Sequence, residues 1–318
     1  MNYLCCLVLL LSLQRPPVTT SPNAGTNQDA KAMVVPHRVY DSAKAEGVDF
    51  EAMIAQLASA DVVVVGEQHD NAPTHRLELQ ILEGLARRNR SVILSLEMFE
   101  RDVQPNLNSY LSGQIQEAEF LKVSRPWPAY QSDYKPLVAF ASEHRWPVLA
   151  ANVPRRYASQ VARSGLPSIN SLSPAERAFF AGSVACPHDR YFKRFQQEMG
   201  SHPGAAGGSS VKSVMSDDPA LMDRLYAAQC LKDETMAESI ANAWSAAPSP
   251  KPLVVHFTGA FHSDFKQGTV SRLQQRLAGK QIRVVSIIPV ANLDKIKRSD
   301  ERRRADYVIF TNGSQASL

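Results

Sequence analysis

Cysteine is scarce in this chain of 318 residues, which has only four. Cys5 and Cys6 lie in an apolar run near the N-terminus, which leaves Cys186 and Cys230 for the body of the protein. Neither of these begins a CxxC or a CxxCH pattern, so the sequence has no cysteine metal motif and no motif for covalent attachment of a cofactor. A disulfide between the two is left open, because nothing in their spacing shows that their Cα atoms approach each other.

Strong charge of one sign is absent as well. The formal net charge is +4, and the one basic cluster near the C-terminus is interrupted by acidic residues and lacks interleaved aromatic residues. Nucleic-acid-binding surfaces normally show a larger basic excess. We therefore predict no nucleic-acid partner and interpret the cluster as a solvated face, formed by Lys295, Lys297, Arg298, Arg302, Arg303 and Arg304.

The apolar run from Leu4 to Leu13 is too short to span a bilayer. It has the length of a signal-peptide core, and a polar tract rich in Pro, Ser, Thr and Asn follows it to about Lys31. We assign residues 1–31 to a signal-like leader and flexible tract, and we predict export to the periplasm or cell envelope. Cys5 and Cys6 precede most of the run, whereas a lipoprotein cysteine closes it, so membrane anchoring is left open.

Four consecutive valines, 62–65, predict a strand buried on both faces, as in a parallel sheet. A polar tip follows at once, with Glu67, His69 and Asp70. Asp70 either caps the next helix or belongs to a site. His75 lies near the first turn of that helix, where the helix N-terminus is expected to lower the pKa of an imidazole.

Glu97 ends a second apolar strand, and Asn152 ends a short third one at 147–152. A strand, a helix and a strand at this spacing form a βαβ unit, so the strands run parallel and their carboxyl ends meet at one edge of the sheet. Ligands of open α/β sheets bind at that edge. Glu67 and Glu97 both follow buried strands, where an unpaired carboxylate is costly, so each should have a cationic, imidazole or metal partner.

The elements predict an α/β fold with a mainly parallel sheet flanked by helices and an inserted, mainly helical subdomain. Residues 32–98 and 250–312 form the core, together with strand 147–152, and residues 99–245 form the largely helical insertion. Within the insertion we predict a helix over 173–182, a flexible loop or lid at 202–210, and a long helix that is capped by Asp218 and Pro219 and runs to Trp244.

Two predicted strand ends carry the same pattern of a glycine, two residues and a histidine. The first copy runs from Gly66 to His69 and the second from Gly259 to His262, each after an apolar strand. One GxxH pattern is a weak signal, because it arises by chance in many proteins. Two copies at the same predicted edge point to a shared site.

These motifs resemble the ChaN family of bacterial haem-binding uptake proteins, in the Tiki superfamily. The resemblance runs from about Ser59 to Asn312 and includes several multi-residue blocks in order. These are the two GxxH motifs with His75 and Glu97, Trp127–Tyr130 with Asp133–Tyr134, Asn152–Arg155, and Gln229–Ile240.

The resemblance implies an α/β core with a smaller helical domain and haem held non-covalently by a tyrosine ligand. It also implies a homodimer and an outer-membrane haem receptor system as partners. Tyr130 and Tyr134 lie in the family-like block and are the predicted iron ligands, and Met222 and Met236 are candidate pocket residues. Each of the four has an equally simple interpretation as an ordinary packing residue.

Our first functional hypothesis is a haem-binding protein of the cell envelope that acts in haem or iron acquisition. The alternative is a hydrolase related to the Tiki proteases and erythromycin esterases, with Glu67, His69, Glu97 and His262 as catalytic residues. Such an enzyme would use general-base catalysis or a divalent metal, for which the candidate ligands are His69, His75 and His262. A third hypothesis is a storage or chaperone role in which the GxxH cluster is structural.

Overall fold

The computed structural model describes residues 35–88, 91–201 and 220–313. The predicted leader, the predicted lid at 202–210 and the capping residues Asp218 and Pro219 lie outside them. The described residues form an eight-stranded sheet, with strands β1 His37–Asp41, β2 Glu46–Val48, β3 Val62–Glu67, β4 Val92–Glu100, β5 Val148–Asn152, β6 Leu253–Gly259, β7 Ile282–Val290 and β8 Tyr307–Asn312.

The sheet has the strand order β2-β1-β8-β7-β3-β6-β4-β5. Strands β8, β7, β3, β6, β4 and β5 run parallel, and β1 pairs antiparallel with both β2 and β8. The predicted mainly parallel α/β fold is therefore confirmed. The hairpin of β1 and β2 was not predicted, and it joins the sheet through β8, a strand distant in sequence.

The main helices are α1 Phe50–Leu57, α2 Ala72–Ala86, α3 Gln104–Leu111, α4 Glu117–Ser124, α5 Lys135–Glu143, α6 Arg155–Ser164, α7 Pro174–Arg177, α8 Arg190–Ser201, α9 Leu221–Ala246 and α10 Gly268–Arg276. A π-helical turn at Tyr130–Tyr134 precedes α5. No described helix is both long enough and apolar enough to cross a membrane. The division of the chain into a core and an inserted domain stays a prediction.

Helices cover both faces of the sheet. Along β3, Val63 and Val65 pack with α1, α2 and α5, whereas Val62 and Val64 pack with α9 and α10. Successive side chains of a strand point to opposite faces, so an unbroken valine run is stable only when both faces are covered. All four valines are fully buried.

The register of the central strands brings the two GxxH motifs together. Glu67 at the end of β3 lies beside Gly259 at the end of β6, and β4 pairs with the other side of β6. Parallel strands in this register deliver Glu67, Glu97 and the second GxxH motif to one edge. The shared site therefore depends on β6, which is far from β3 in sequence but adjacent to it in the sheet.

One predicted helix is shorter in the structure, and one helix was not predicted. Ser173 caps its helix with Glu176 in a capping box, but the helix is only α7 and ends at Arg177. The following backbone bonds instead to α9, because the Ala181 N–H donates to Thr235 Oγ1 at 3.1 Å. Helix α8 was not predicted at all.

A disulfide joins Cys186 to Cys230, with the Cα atoms 5.6 Å apart. It ties the segment before α8 to the middle of α9. The pairing that the sequence left open is therefore present in the fold.

Candidate functional site

His69 and Glu67 form a tight pair at the end of β3. The Nδ1–H of His69 donates to Glu67 Oε1 at 2.5 Å, and the imidazole lies edge-on to Trp127 with the ring centroids 4.8 Å apart. The Glu67 carboxylate is fully buried, whereas 42% of the His69 side chain is exposed. Burial lowers the pKa of His69, but the hydrogen bond to Glu67 and the charge of Glu97 outweigh it, so the pKa is raised.

His262 is held between two carboxylates. Its Nδ1–H donates to Asp233 Oδ1 at 2.8 Å, and its Nε2 lies 3.4 Å from Glu97 Oε1. Burial opposes the charged form, but Glu97 and Asp233 overcome it and raise the pKa of His262 to about 9. At neutral pH the imidazole is therefore a cation between two anions.

Glu97 is stabilised in its buried position by hydrogen bonds from β6. The Thr258 hydroxyl donates to Glu97 Oε2 at 2.5 Å and the Gly259 N–H donates at 2.8 Å. Despite the cost of burial, the charge of His262 keeps the pKa of Glu97 well below its usual range. The structure thus brings together Glu67, His69, Glu97 and His262, the four residues assigned to the hydrolase hypothesis.

Asp233 and Gln229 of α9 complete the surroundings of His262. Asp233 accepts hydrogen bonds from Tyr191 and Thr269, each at 2.8 Å, and Gln229 Nε2 lies 3.2 Å from His262 Nδ1. Neither was a predicted site residue, although both belong to the block that resembles ChaN. The spacing of four residues between them, which places both on one helix face, was the available signal.

His75 lies against the other side of the Glu67 carboxylate. Asn71, not Asp70, caps α2, since Asn71 Oδ1 accepts from the Thr74 N–H at 3.0 Å. Of the two alternatives left open for Asp70, the capping role is therefore wrong. Burial and the helix N-terminus favour a neutral His75, but Glu67 and Glu78 raise its pKa to about 11, and the predicted lowering is also wrong.

Glu78 is the buried acid that the sequence analysis missed. Its Oε2 lies 3.0 Å from His75 Nδ1, and burial together with the charge of Glu67 raises its pKa well above the usual range. The signal was its position three residues after His75, on the same face of α2 as the buried Ile81 and Leu82. Among the described residues, Glu67, His75 and Glu78 are the group of three ligating side chains close enough for one metal ion. Metal binding by His69 and His262 stays a prediction.

A cavity of about 840 Å³ opens above the strand ends. Glu67, His69 and His262 lie at its base. Its walls carry aromatic and cationic side chains from α8 and from the loops after β6 and β7, namely Phe195, Phe261, Phe265, Arg190, Lys193, Arg194 and Arg304. Glu198 and Asp264 also line the cavity, so the predicted chemistry at this edge faces a cavity with aromatic, cationic and acidic side chains.

The four predicted haem-pocket residues do not line this cavity. Tyr134 is buried and its hydroxyl donates to Glu67 Oε1 at 2.9 Å, while the buried Tyr130 hydroxyl has no hydrogen-bond partner among the described residues. Burial raises the pKa of both phenols. Met222 packs with Tyr226 on α9, and Met236 is buried on the same helix. Their roles as ligands and pocket residues stay predictions.

One comparison with a solved structure supports this architecture. A solved structure described as cofacial haem binding to ChaN of Campylobacter jejuni has a TM-score of 0.63 at 21% identity, covering 87% of this chain and 97% of that chain. A variant of an erythromycin esterase in its open conformation has a TM-score of 0.44 at 12% identity, covering 88% and 84% of the two chains.

The chain is 25% identical over 299 residues to the Arabidopsis thaliana protein RETICULATA-RELATED 5, chloroplastic, which corresponds to 88% of this chain. It spans only 39% of the length of that relative. A family model described as "Haem-binding uptake, Tiki superfamily, ChaN" matches residues 53–273, well over half of the sequence. The resemblance predicted from the motifs is thereby confirmed, and the chain belongs to the ChaN family of haem-binding uptake proteins in the Tiki superfamily.

Proposed function

We propose that this protein binds haem non-covalently in the cavity at the carboxyl edge of the sheet and takes part in haem or iron acquisition in the cell envelope. One observation carries the proposal beyond the family: the cavity joins aromatic walls to cationic side chains beside the exposed imidazole of His69. Haem has an apolar macrocycle and two propionates, so it needs apolar surface and cations together.

The cavity residues fit haem in size and chemistry. Its volume of about 840 Å³ lies within the range of ~300–1,000 Å³ that is usual for small-molecule sites. The Arg194 guanidinium lies 4.3 Å from the ring centroid of Phe261, which places charge next to an aromatic face. Arg190 and Lys193 are exposed and form no ion pair with a described residue, so both are available for propionates.

Two kinds of side chain are candidates for the iron ligand. Since no CxxCH motif is present for covalent attachment, the haem would be held by contacts to its ring and by a side-chain ligand to its iron. The His69 imidazole faces the cavity, whereas the phenols of Tyr130 and Tyr134 would first have to leave buried positions. We therefore assign the ligand to His69 and retain the tyrosines as the competing assignment.

Export, dimer formation and delivery by an outer-membrane haem receptor system complete the proposal. The Cys186–Cys230 disulfide supports export, because such bonds persist in oxidising compartments. The homodimer and the receptor system rest on the family resemblance alone.

Titration of the purified protein with hemin tests the proposal. We expect a saturable Soret shift, and we expect Lys193→Glu to weaken binding about tenfold through repulsion of a propionate. Lys122→Glu is the matched control, because Lys122 is exposed on α4 and does not line the cavity. Absence of a saturable shift in the wild-type protein, or equal weakening by both substitutions, would contradict haem binding here.

The spectrum of the haem complex distinguishes the two ligand assignments. We expect His69→Ala to change the Soret position, and Tyr130→Phe and Tyr134→Phe to leave it unchanged. If a tyrosine variant changes the spectrum and His69→Ala does not, the phenol is the ligand and the iron does not lie at His69.

A hydrolase is the second candidate, and the pairing of Glu67 with His69 opposite His262 favours it. In a general-base mechanism the His69 imidazole would take a proton from a water molecule that attacks the substrate carbonyl. Because the pKa of His69 is raised, its neutral form accumulates at higher pH than that of an unperturbed imidazole. Activity towards ester or peptide substrates should therefore rise with pH and disappear in His69→Ala. A wild-type protein inactive at all pH values rules this candidate out.

A further inference from the structure

We propose that Glu67, His75 and Glu78 bind one divalent cation in a buried site beneath the cavity. The side chains of the two glutamates are 0% exposed and that of His75 is 3% exposed. Their ligating atoms lie within 4.8 Å of one another. The site shares Glu67 with the base of the cavity. It uses neither GxxH histidine as a ligand, and it depends on Glu78, a residue outside every motif singled out in the sequence.

The distances fit one shared ion. His75 Nδ1 lies 3.0 Å from Glu78 Oε2 and 3.5 Å from Glu67 Oε2. Nitrogen and oxygen ligands bind such ions at about 2.1 Å, so neighbouring ligand atoms of one ion lie roughly 3–3.5 Å apart. The three groups therefore need little rearrangement to ligate a cation.

The tautomer of His75 is set by a backbone carbonyl. Its Nε2 lies 3.1 Å from the carbonyl oxygen of His69, which can only accept, so Nε2 carries a hydrogen. When a cation replaces the second proton of the ring, the lone pair of Nδ1 is left on the side of the two carboxylates. Metal-binding histidines typically donate their other ring N–H to a carbonyl or carboxylate in this way.

Each carboxylate of the group has one buried oxygen atom without a hydrogen bond to a described residue. Glu67 Oε2 and Glu78 Oε1 have no hydrogen-bond partner among the described residues. The other oxygen of Glu67 is occupied by His69 and Tyr134, which hold the carboxylate in place. Buried carboxylate oxygens without partners are costly, and a cation would satisfy both.

Charge balance indicates the class of ion. A neutral imidazole and two carboxylates carry a charge of about −2, which a divalent cation neutralises. One nitrogen with oxygen ligands, and no sulfur, suits Zn²⁺, Mn²⁺ or Fe²⁺. Without an ion the same pocket must hold two protons, one on His75 and one on Glu78, and the test distinguishes these two states.

Metal content after equilibrium dialysis tests the site. Metal-stripped full-length protein is dialysed against Zn²⁺ or Mn²⁺ and analysed by mass spectrometry for metals. We expect about one ion per chain in the wild type and less than about a tenth in Glu78→Gln, which keeps the size of the side chain but removes its charge. Glu83→Gln on the same helix is the matched control and should keep the ion. A wild type that binds neither ion, or a folded Glu78→Gln that keeps it, overturns the proposal.

A second test needs no variant: X-ray absorption spectroscopy at the metal edge identifies the ligands of the ion in the metal-loaded wild-type protein. We expect one imidazole nitrogen and otherwise oxygen ligands; two imidazoles would assign the ion to the GxxH histidines and overturn the proposal. The His262→Ala variant should still bind the ion, and its thermal stability should still rise when the ion is added. Both results are expected whatever the substitution does to hemin binding. Metal content and the metal-edge spectrum are thus read separately from hemin binding, although Glu67 belongs to both sites.

Discussion

The hydroxyl of Tyr134 donates a hydrogen bond to Glu67 Oε1 at 2.9 Å, in a region where both side chains are buried. This contact joins the π-helical turn before α5 to the end of β3. The tyrosine predicted to ligate iron thus supports the carboxylate that orients His69. The phenol of Tyr134 would have to give up this hydrogen bond before it could ligate iron.

Tyr134→Phe should lower the free energy of unfolding by about 1–3 kcal/mol, because it deprives a buried carboxylate of a donor. Tyr130→Phe is the matched comparison, since its buried hydroxyl has no partner to lose. Its effect should stay within about 0.5 kcal/mol. Urea denaturation measures both values. A larger loss in Tyr130→Phe than in Tyr134→Phe would contradict the assignment.

Gly259→Ala should displace His69. A Cβ atom at this position would lie 2.7 Å from His69 Nε2, closer than non-bonded atoms approach. Because the imidazole is partly exposed, it can move without unfolding the chain, and hemin affinity should fall about tenfold. Gly47→Ala on β2 is the control, with no atom nearer than 3.6 Å to the new methyl group. Unchanged hemin affinity in a folded Gly259→Ala would show that the position of His69 does not matter for binding.

His262 should make stability depend on pH on the alkaline side. Its pKa is about 9 in the folded protein against 6.5 for the unperturbed group, so the folded state holds the proton more tightly. The contribution is complete below pH 6.5 and is lost as the pH rises towards 9. The stability difference between wild type and His262→Gln should therefore shrink by on the order of 3 kcal/mol across this window. Urea denaturation at several pH values measures it, and a constant difference would show that His262 is not charged in the fold.

Reduction of the Cys186–Cys230 disulfide should destabilise the protein. The bond closes a loop with a sequence separation of 44 residues, and the chain-entropy model gives a loss of about 4 kcal/mol for such a loop. Denaturation with and without a reductant measures the effect. The double variant Cys186→Ala, Cys230→Ala should be insensitive to the reductant. Equal stability of the reduced and oxidised wild type would contradict a stabilising role.

Part of the site was predictable because it follows from local sequence. The valine run before Glu67 and the apolar strand before Glu97 both predicted strands, and parallel strands release their side chains at one edge. The second GxxH motif was placed at the same edge for the same reason, because it also follows an apolar strand. Glu78 and Asp233 were not found, because acidic residues on helices usually face solvent and only packing shows that these two are buried.

The sequence by itself determined the α/β class, the central strands and the polar tips that end them, because these depend on the period of apolar residues and on backbone stereochemistry. The tertiary structure alone decided the Cys186–Cys230 pairing, the edge hairpin of β1 and β2, and the contact of Tyr134 with Glu67. Each of these joins segments whose approach depends on the packing of the whole chain. The charge states of His75 and Glu78 have the same origin, since they are set by which carboxylates burial brings within about 3–4 Å.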